Sequence, residues 1–143
     1  MRKIAASYIF PIASVPIKQG ILVISDKDEI IEIIDTHGNL TELFKLEYYN
    51  GVIIPRFIDI IEKKAYLMDN INTQLVFSEM KKQTNVPLQE ILETYTLDCA
   101  KKYNPLNWFG SFEKGKKPGV ALITNINFEL FILTDKSEIR ILV

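Results

Sequence analysis

Short apolar runs broken by proline and glycine fill the first 57 residues, where Ile, Val, Tyr and Phe recur between Pro11, Pro16, Gly20, Gly38, Gly51 and Pro55. β-branched and aromatic residues bounded by such breakers form strands. The pattern predicts strands over Lys3–Ser7, Tyr8–Phe10, Gly20–Ser25, Ile30–Asp35, Lys45–Tyr49 and Gly51–Ile54. Asp26-Lys27-Asp28-Glu29 lies between two apolar runs and reads as a hairpin turn, because Asp side chains bond nearby backbone amides.

The period then changes. Leu75, Val76, Glu79, Met80 and Gln83 do not alternate, and the absence of Gly and Pro predicts a short helix over Thr73 to Gln83. A second helix is predicted from Leu88, Ile91, Leu92, Tyr95, Cys99 and Tyr103, which share one face at helical spacing, with Pro87 at the first helical position. After Pro105 the strands return, predicted over Gly119–Thr124, Phe128–Leu133 and Glu138–Val143. The chain is thus expected to be mainly β with two helices, an α+β fold whose terminal strands pair in one sheet system with the helices on one side or end.

A length of 143 residues suits one domain, and no repeat or linker argues for a second. The 48% hydrophobic and 24% charged composition is that of an ordinary globular chain. With a net charge of −1 and basic residues spread along the sequence, attraction to phosphate is weak, so no nucleic-acid partner is expected. The apolar runs fall well short of the roughly 20 residues that span a bilayer, so no membrane partner is expected either. Met1-Arg2-Lys3 and the apolar residues after it have the start of a signal peptide, but the run ends at Pro11 without a polar cleavage region and reads as a first strand. A single cysteine, Cys99, excludes an internal disulfide and makes the reducing cytoplasm the expected compartment.

Two segments carry a family resemblance. Gly51-Val52-Ile53-Ile54-Pro55-Arg56-Phe57-Ile58-Asp59 resembles the G-x-x-x-P-G-F-[IV]-[ND] stretch that closes the N-terminal sandwich of cytosine-deaminase-like and dihydroorotase-like metal-dependent amidohydrolases. Ala6 to Pro11 and Gln19 to Val23 are similar to the opening strands of that family. Gly110-Ser111-Phe112-Glu113-Lys114-Gly115-Lys116 is similar to the G-[ST]-[LIF]-E-x-G-K turn by which such chains re-enter the sandwich after their catalytic barrel. Val76 to Met80 and Thr96 to Lys101 resemble the two helices before that turn.

The resemblance implies a composite β-sandwich: strands 1–57, a segment 58–72 where the barrel would be, two helices over 73–104, and returning strands 105–143. It also implies what is missing. The two metal-binding histidines of the family fall at Ile61 and Lys63, an alkyl group and a cation that cannot ligate a dication. Arg56 replaces a family glycine, so the tight backbone there need not be preserved. A (β/α)₈ barrel needs about 200 residues or more, whereas fifteen separate Phe57 from Thr73. Asp69 falls near the last strand-end aspartate of the family, but an exposed loop Asp is the commoner meaning.

Other chemistry is sparse. His37 lies in the turn-like Asp35-Thr36-His37-Gly38-Asn39 and is expected to be solvent-exposed, while Cys99 is expected to be a buried structural thiol on the apolar helix face. Asp26, Asp28 and Glu29 lack calcium-loop spacing, and Gly115 and Gly119 lack phosphate-loop order. Trp108 and Phe109, with Tyr103 and Pro105, make an aromatic cluster expected either to cover the sandwich end that the absent barrel leaves bare or to form a partner interface.

The expectation is therefore a non-catalytic, barrel-less amidohydrolase-like domain with no catalytic, cofactor or metal residues, in a structural or interaction role, dimerising through the barrel-facing surface. The alternative is a metal-dependent hydrolase of non-peptide carbon–nitrogen bonds whose barrel comes from another chain.

Overall fold

The computed structural model describes residues 1–41, 45–83, 85–103 and 108–143. Strand β1 (Arg2–Ile9) runs antiparallel to β3 (Ile21–Ile24) on one side and parallel to β5 (Leu46–Ile54) on the other. Short β2 (Ile17–Lys18) pairs with its end. Strand β4 (Ile30–Ile34) extends the sheet beyond β3, and β8 (Ala121–Thr124) and β9 (Glu138–Ile141) extend it beyond β5, giving the order β4-β3-β1-β5-β8-β9. Pairing of β5 with β8 joins the first and last parts of the sequence in one sheet, as expected. The described residues form a mainly β, α+β fold.

Two predicted strand breaks are interior to single strands. The ladder shifts register between Ala6 and Tyr8, a bulge that puts Ile9 on the same side as Ile4 and Ala6 while Tyr8 packs with the opposite cluster. Asn50-Gly51 has turn composition, yet β5 continues through it. Gly51 lies so close to the carbonyl of Ile123 that any side chain would collide with it. The Asp26–Glu29 turn is present: Ser25 Oγ accepts from the amides of Lys27 and Glu29, and Asp28 takes a left-handed conformation.

Side chains alternate across the sheet. Ile4, Ala6, Leu22, Ile24, Ile53 and Leu122 form a cluster on one face that Phe112 and Val120 complete. On the other, Val52, Ile54, Ala121, Ile123 and Ile139 pack against the helices through Phe77, Met80, Ile91 and Leu92.

Residues 58–72 are regular. β6 (Ile58–Ile61) and β7 (Lys64–Leu67) form a hairpin closed by Glu62 and Lys63, both at positive φ, the two-residue turn whose twist matches its strands. Helix α1 (Asn70–Met80) begins three residues before the predicted Thr73 because Asp69 caps it, its carboxylate accepting from the Asn72 amide at 2.7 Å.

The second predicted helix is two segments, α2 (Leu88–Tyr95) and α3 (Leu97–Tyr103). They part at the fully buried Thr96 (φ −126°, ψ −96°), whose hydroxyl donates to the Leu92 carbonyl at 2.7 Å. That break turns the apolar stripe: Ala100 is buried, whereas Cys99 is only half-buried, which corrects the expectation of a buried thiol. Phe128–Leu133 is not a strand. Asn127 Oδ1 accepts from the amides of Glu129 and Leu130 and closes a tight loop, because Phe128 and Phe131 are drawn inward to pack on Tyr8, at 5.7 and 4.8 Å between ring centroids.

Candidate functional site

A buried polar cluster stands on the turn over residues 110–116. Gly110 (φ +97°) lets the chain press against Leu97 and Ala100 of α3, and the Phe112 amide donates to the carbonyl of Pro11. This places Ser111 fully inside. Lys116 Nζ, on a residue only 5% exposed, donates to Ser111 Oγ at 2.8 Å and meets Glu113 Oε1 at 3.0 Å, and Ser111 Oγ donates to the same carboxylate at 2.7 Å. Those bonds hold the Glu113 carboxyl below its ordinary range.

A serine beside a lysine has the parts of a nucleophile and its base. Here the hydroxyl is enclosed and committed to both neighbours, so the cluster is arranged to fix the turn rather than to attack a substrate. Gly115 and Lys116 exchange backbone hydrogen bonds with Ile30 and so tie this turn to the start of β4.

Arg56 forms the second feature. Its Nη2 donates to the Met68 carbonyl at 2.7 Å, its stem lies against Gly119 (φ +70°), and its buried Nε has no hydrogen-bond partner among the described residues. Burial lowers the pKa of the guanidinium.

The remaining candidates are dispersed. Ile61 ends β6, Lys63 stands in the hairpin turn, and Asp69 is spent as a helix cap. His37 lies in an exposed turn, its amide bonded to the Asp35 carboxylate. Cys99 borders an open cleft of about 280 Å³ with Ile60, Thr94, Asp98, Lys102 and Tyr103. Burial, and secondarily Asp98, push its thiol pKa up, away from nucleophilic thiolate. Trp108 is 43% exposed and lies under the Lys117 ammonium at 5.3 Å, so it covers its surroundings only in part. Pro105 lies outside the described residues. Among the described residues no group of three or more His, Cys, Asp or Glu side chains converges as a metal site, and no helix is long and apolar enough to cross a membrane.

One grouping had no sequence signal. Tyr49 and Asn50 of β5, Leu122 and Thr124 of β8, and Glu138 and Arg140 of β9 line a cleft of about 320 Å³, with the Arg140 guanidinium 5.7 Å from the Tyr49 ring. Only the strand order brings residues so distant in sequence together. The Lys116 cluster could have been found: Ser, Glu and Lys within six residues, with Gly110 before them and Gly115 among them, mark a turn able to satisfy a charge internally.

No family model matches this chain, and neither a curated protein nor a solved structure matches it.

Proposed function

We propose that this chain is a non-catalytic scaffold domain of the amidohydrolase-like composite-sandwich type, with the catalytic barrel replaced by the β6–β7 hairpin and a structural or interaction role. The observation that carries this reading is that the strand within the first resembling segment pairs with the strand that follows the second. Val52–Ile54 pair with Ala121–Ile123 just after the re-entry turn, and Arg56 packs on Gly119. Where the family chain would leave for its barrel, this one turns back after four residues.

The hairpin leaves Ile61 53% and Tyr66 47% exposed. Apolar side chains at such a rim suit burial against a second copy, so a homodimer through this surface belongs to the proposal. Light scattering combined with elemental analysis of the purified protein tests both parts. The expected result is a metal-free dimer that Ile61→Arg converts to monomer. Stoichiometric zinc, or a barrel-bearing chain held in fixed ratio, overturns the scaffold reading in favour of a hydrolase completed in trans. A monomer at high concentration overturns the dimer.

A further inference from the structure

Strand β9 is the last strand on its side of the sheet, paired with β8 and not with any other described strand. An edge of this kind presents a row of backbone donors and acceptors to any strand that approaches. Here α1 lies across it. Gln74 Nε2 donates to the Ile139 carbonyl at 2.9 Å, and Lys81 Nζ donates to the Ser137 carbonyl at 3.3 Å. Ser137 immediately precedes β9 and Lys81 is the C-cap of α1; the acceptors, two residues apart, point the same way, and the donors stand two helical turns apart on one side of the helix. The polar ends of two long side chains thus occupy the positions that amides of a neighbouring strand would take.

The edge beneath is self-complementary. Because the Ile139 carbonyl points outward, its N–H does as well. Two copies of β9 brought together antiparallel about Ile139 would set Ile139 opposite Ile139 and exchange N–H···O=C bonds in both directions. The same register sets Glu138 of each copy opposite Arg140 of the other, twice over. Both side chains are exposed and line one cleft, so the charges would meet on one face.

We propose that β9 is a pairing edge for a second copy of this chain, and that α1 is the guard that keeps it closed. The surface is separate from the hairpin face discussed above, and its readout is association beyond whatever state the wild type already has.

The test is sedimentation velocity on Gln74→Ala/Lys81→Ala, which shortens both guards and leaves the buried Thr73, Phe77 and Met80 in place. About tenfold tighter association than wild type is expected, from the loss of two modest hydrogen bonds. Adding Arg140→Glu, or separately Glu138→Arg, abolishes the gain by opposing like charges. An equimolar mixture of those two triple variants restores it, because Glu again faces Arg at both positions. The proposal is overturned if the guardless protein, with native circular dichroism and a cooperative melt, associates no more than wild type. It is equally overturned if the gain ignores the charge swaps. Should the double variant fail to fold, Gln74→Glu replaces the donor with a repelling acceptor at unchanged length and is read by the same two criteria.

Discussion

The side chain of Arg56 crosses directly over Gly119, filling the space a Cβ would need. Gly119 also holds φ at +70°, and the carbonyl of Val143 lies 3.0 Å from the same point. Gly119→Ala is therefore expected to cost about 2–3 kcal/mol, from a left-handed backbone combined with a steric clash. Arg56→Ala opens part of that space. The double variant should recover about 1 kcal/mol relative to the sum of the single ones, measured by urea unfolding in a double-mutant cycle. Strict additivity would mean that the two residues do not touch.

The Ser111–Glu113–Lys116 cluster predicts an order of effects rather than one value. Ser111→Ala leaves a buried ammonium short of an acceptor and should cost about 1–3 kcal/mol. Lys116→Met removes the buried charge while the Ser111–Glu113 bond persists, so its cost should stay within about 1 kcal/mol. Denaturant midpoints for the two variants check the order, and its reversal would mean that the lysine is solvated.

Stability should fall in acid through Glu47 and Glu113. Hydrogen bonds from Arg2 to Glu47, and from Ser111 and Lys116 to Glu113, depress both carboxyls in the folded state. The unfolded chain, whose glutamates titrate near about 4.3, takes up protons first. The stabilisation is therefore complete above that value and lost as pH drops through the lower folded values. Melting temperatures between pH 7 and pH 2 should show this decline, and Glu47→Gln/Glu113→Gln should flatten it.

Glu62 and Lys63 hold φ at 50° and 63°, a conformation that ordinary side chains disfavour and Asn-Gly accepts readily. Glu62→Asn/Lys63→Gly should raise stability by about 1 kcal/mol, with the denaturant slope unchanged. No gain would indicate a different loop at this position.

Much of the fold is legible along the chain because it rests on local chemistry. The apolar runs give the strands, Asp26–Glu29 gives a turn although Ser25 rather than an Asp accepts its amides, and Pro87 marks the start of α2 one position early, as its N-cap. Legibility fails where a long-range partner decides. The expected break between the strands Lys45–Tyr49 and Gly51–Ile54 is instead held extended between β1 and β8, and Phe128–Leu133 reads as a strand until its rings are claimed by Tyr8. The face of Cys99 depended on a break at Thr96 that helical spacing does not reveal.

The candidate site divides in the same way. From the sequence alone came the single histidine, the single cysteine and the fifteen residues that separate Phe57 from Thr73. Those follow from residue identity and chain length, which folding does not alter. Tertiary structure alone decided that Lys116 is buried on Ser111, that Arg56 lies over Gly119, and that α1 covers the edge of β9. Each depends on segments distant in sequence or on how deeply a turn is packed, and burial is set by what the rest of the chain places around it.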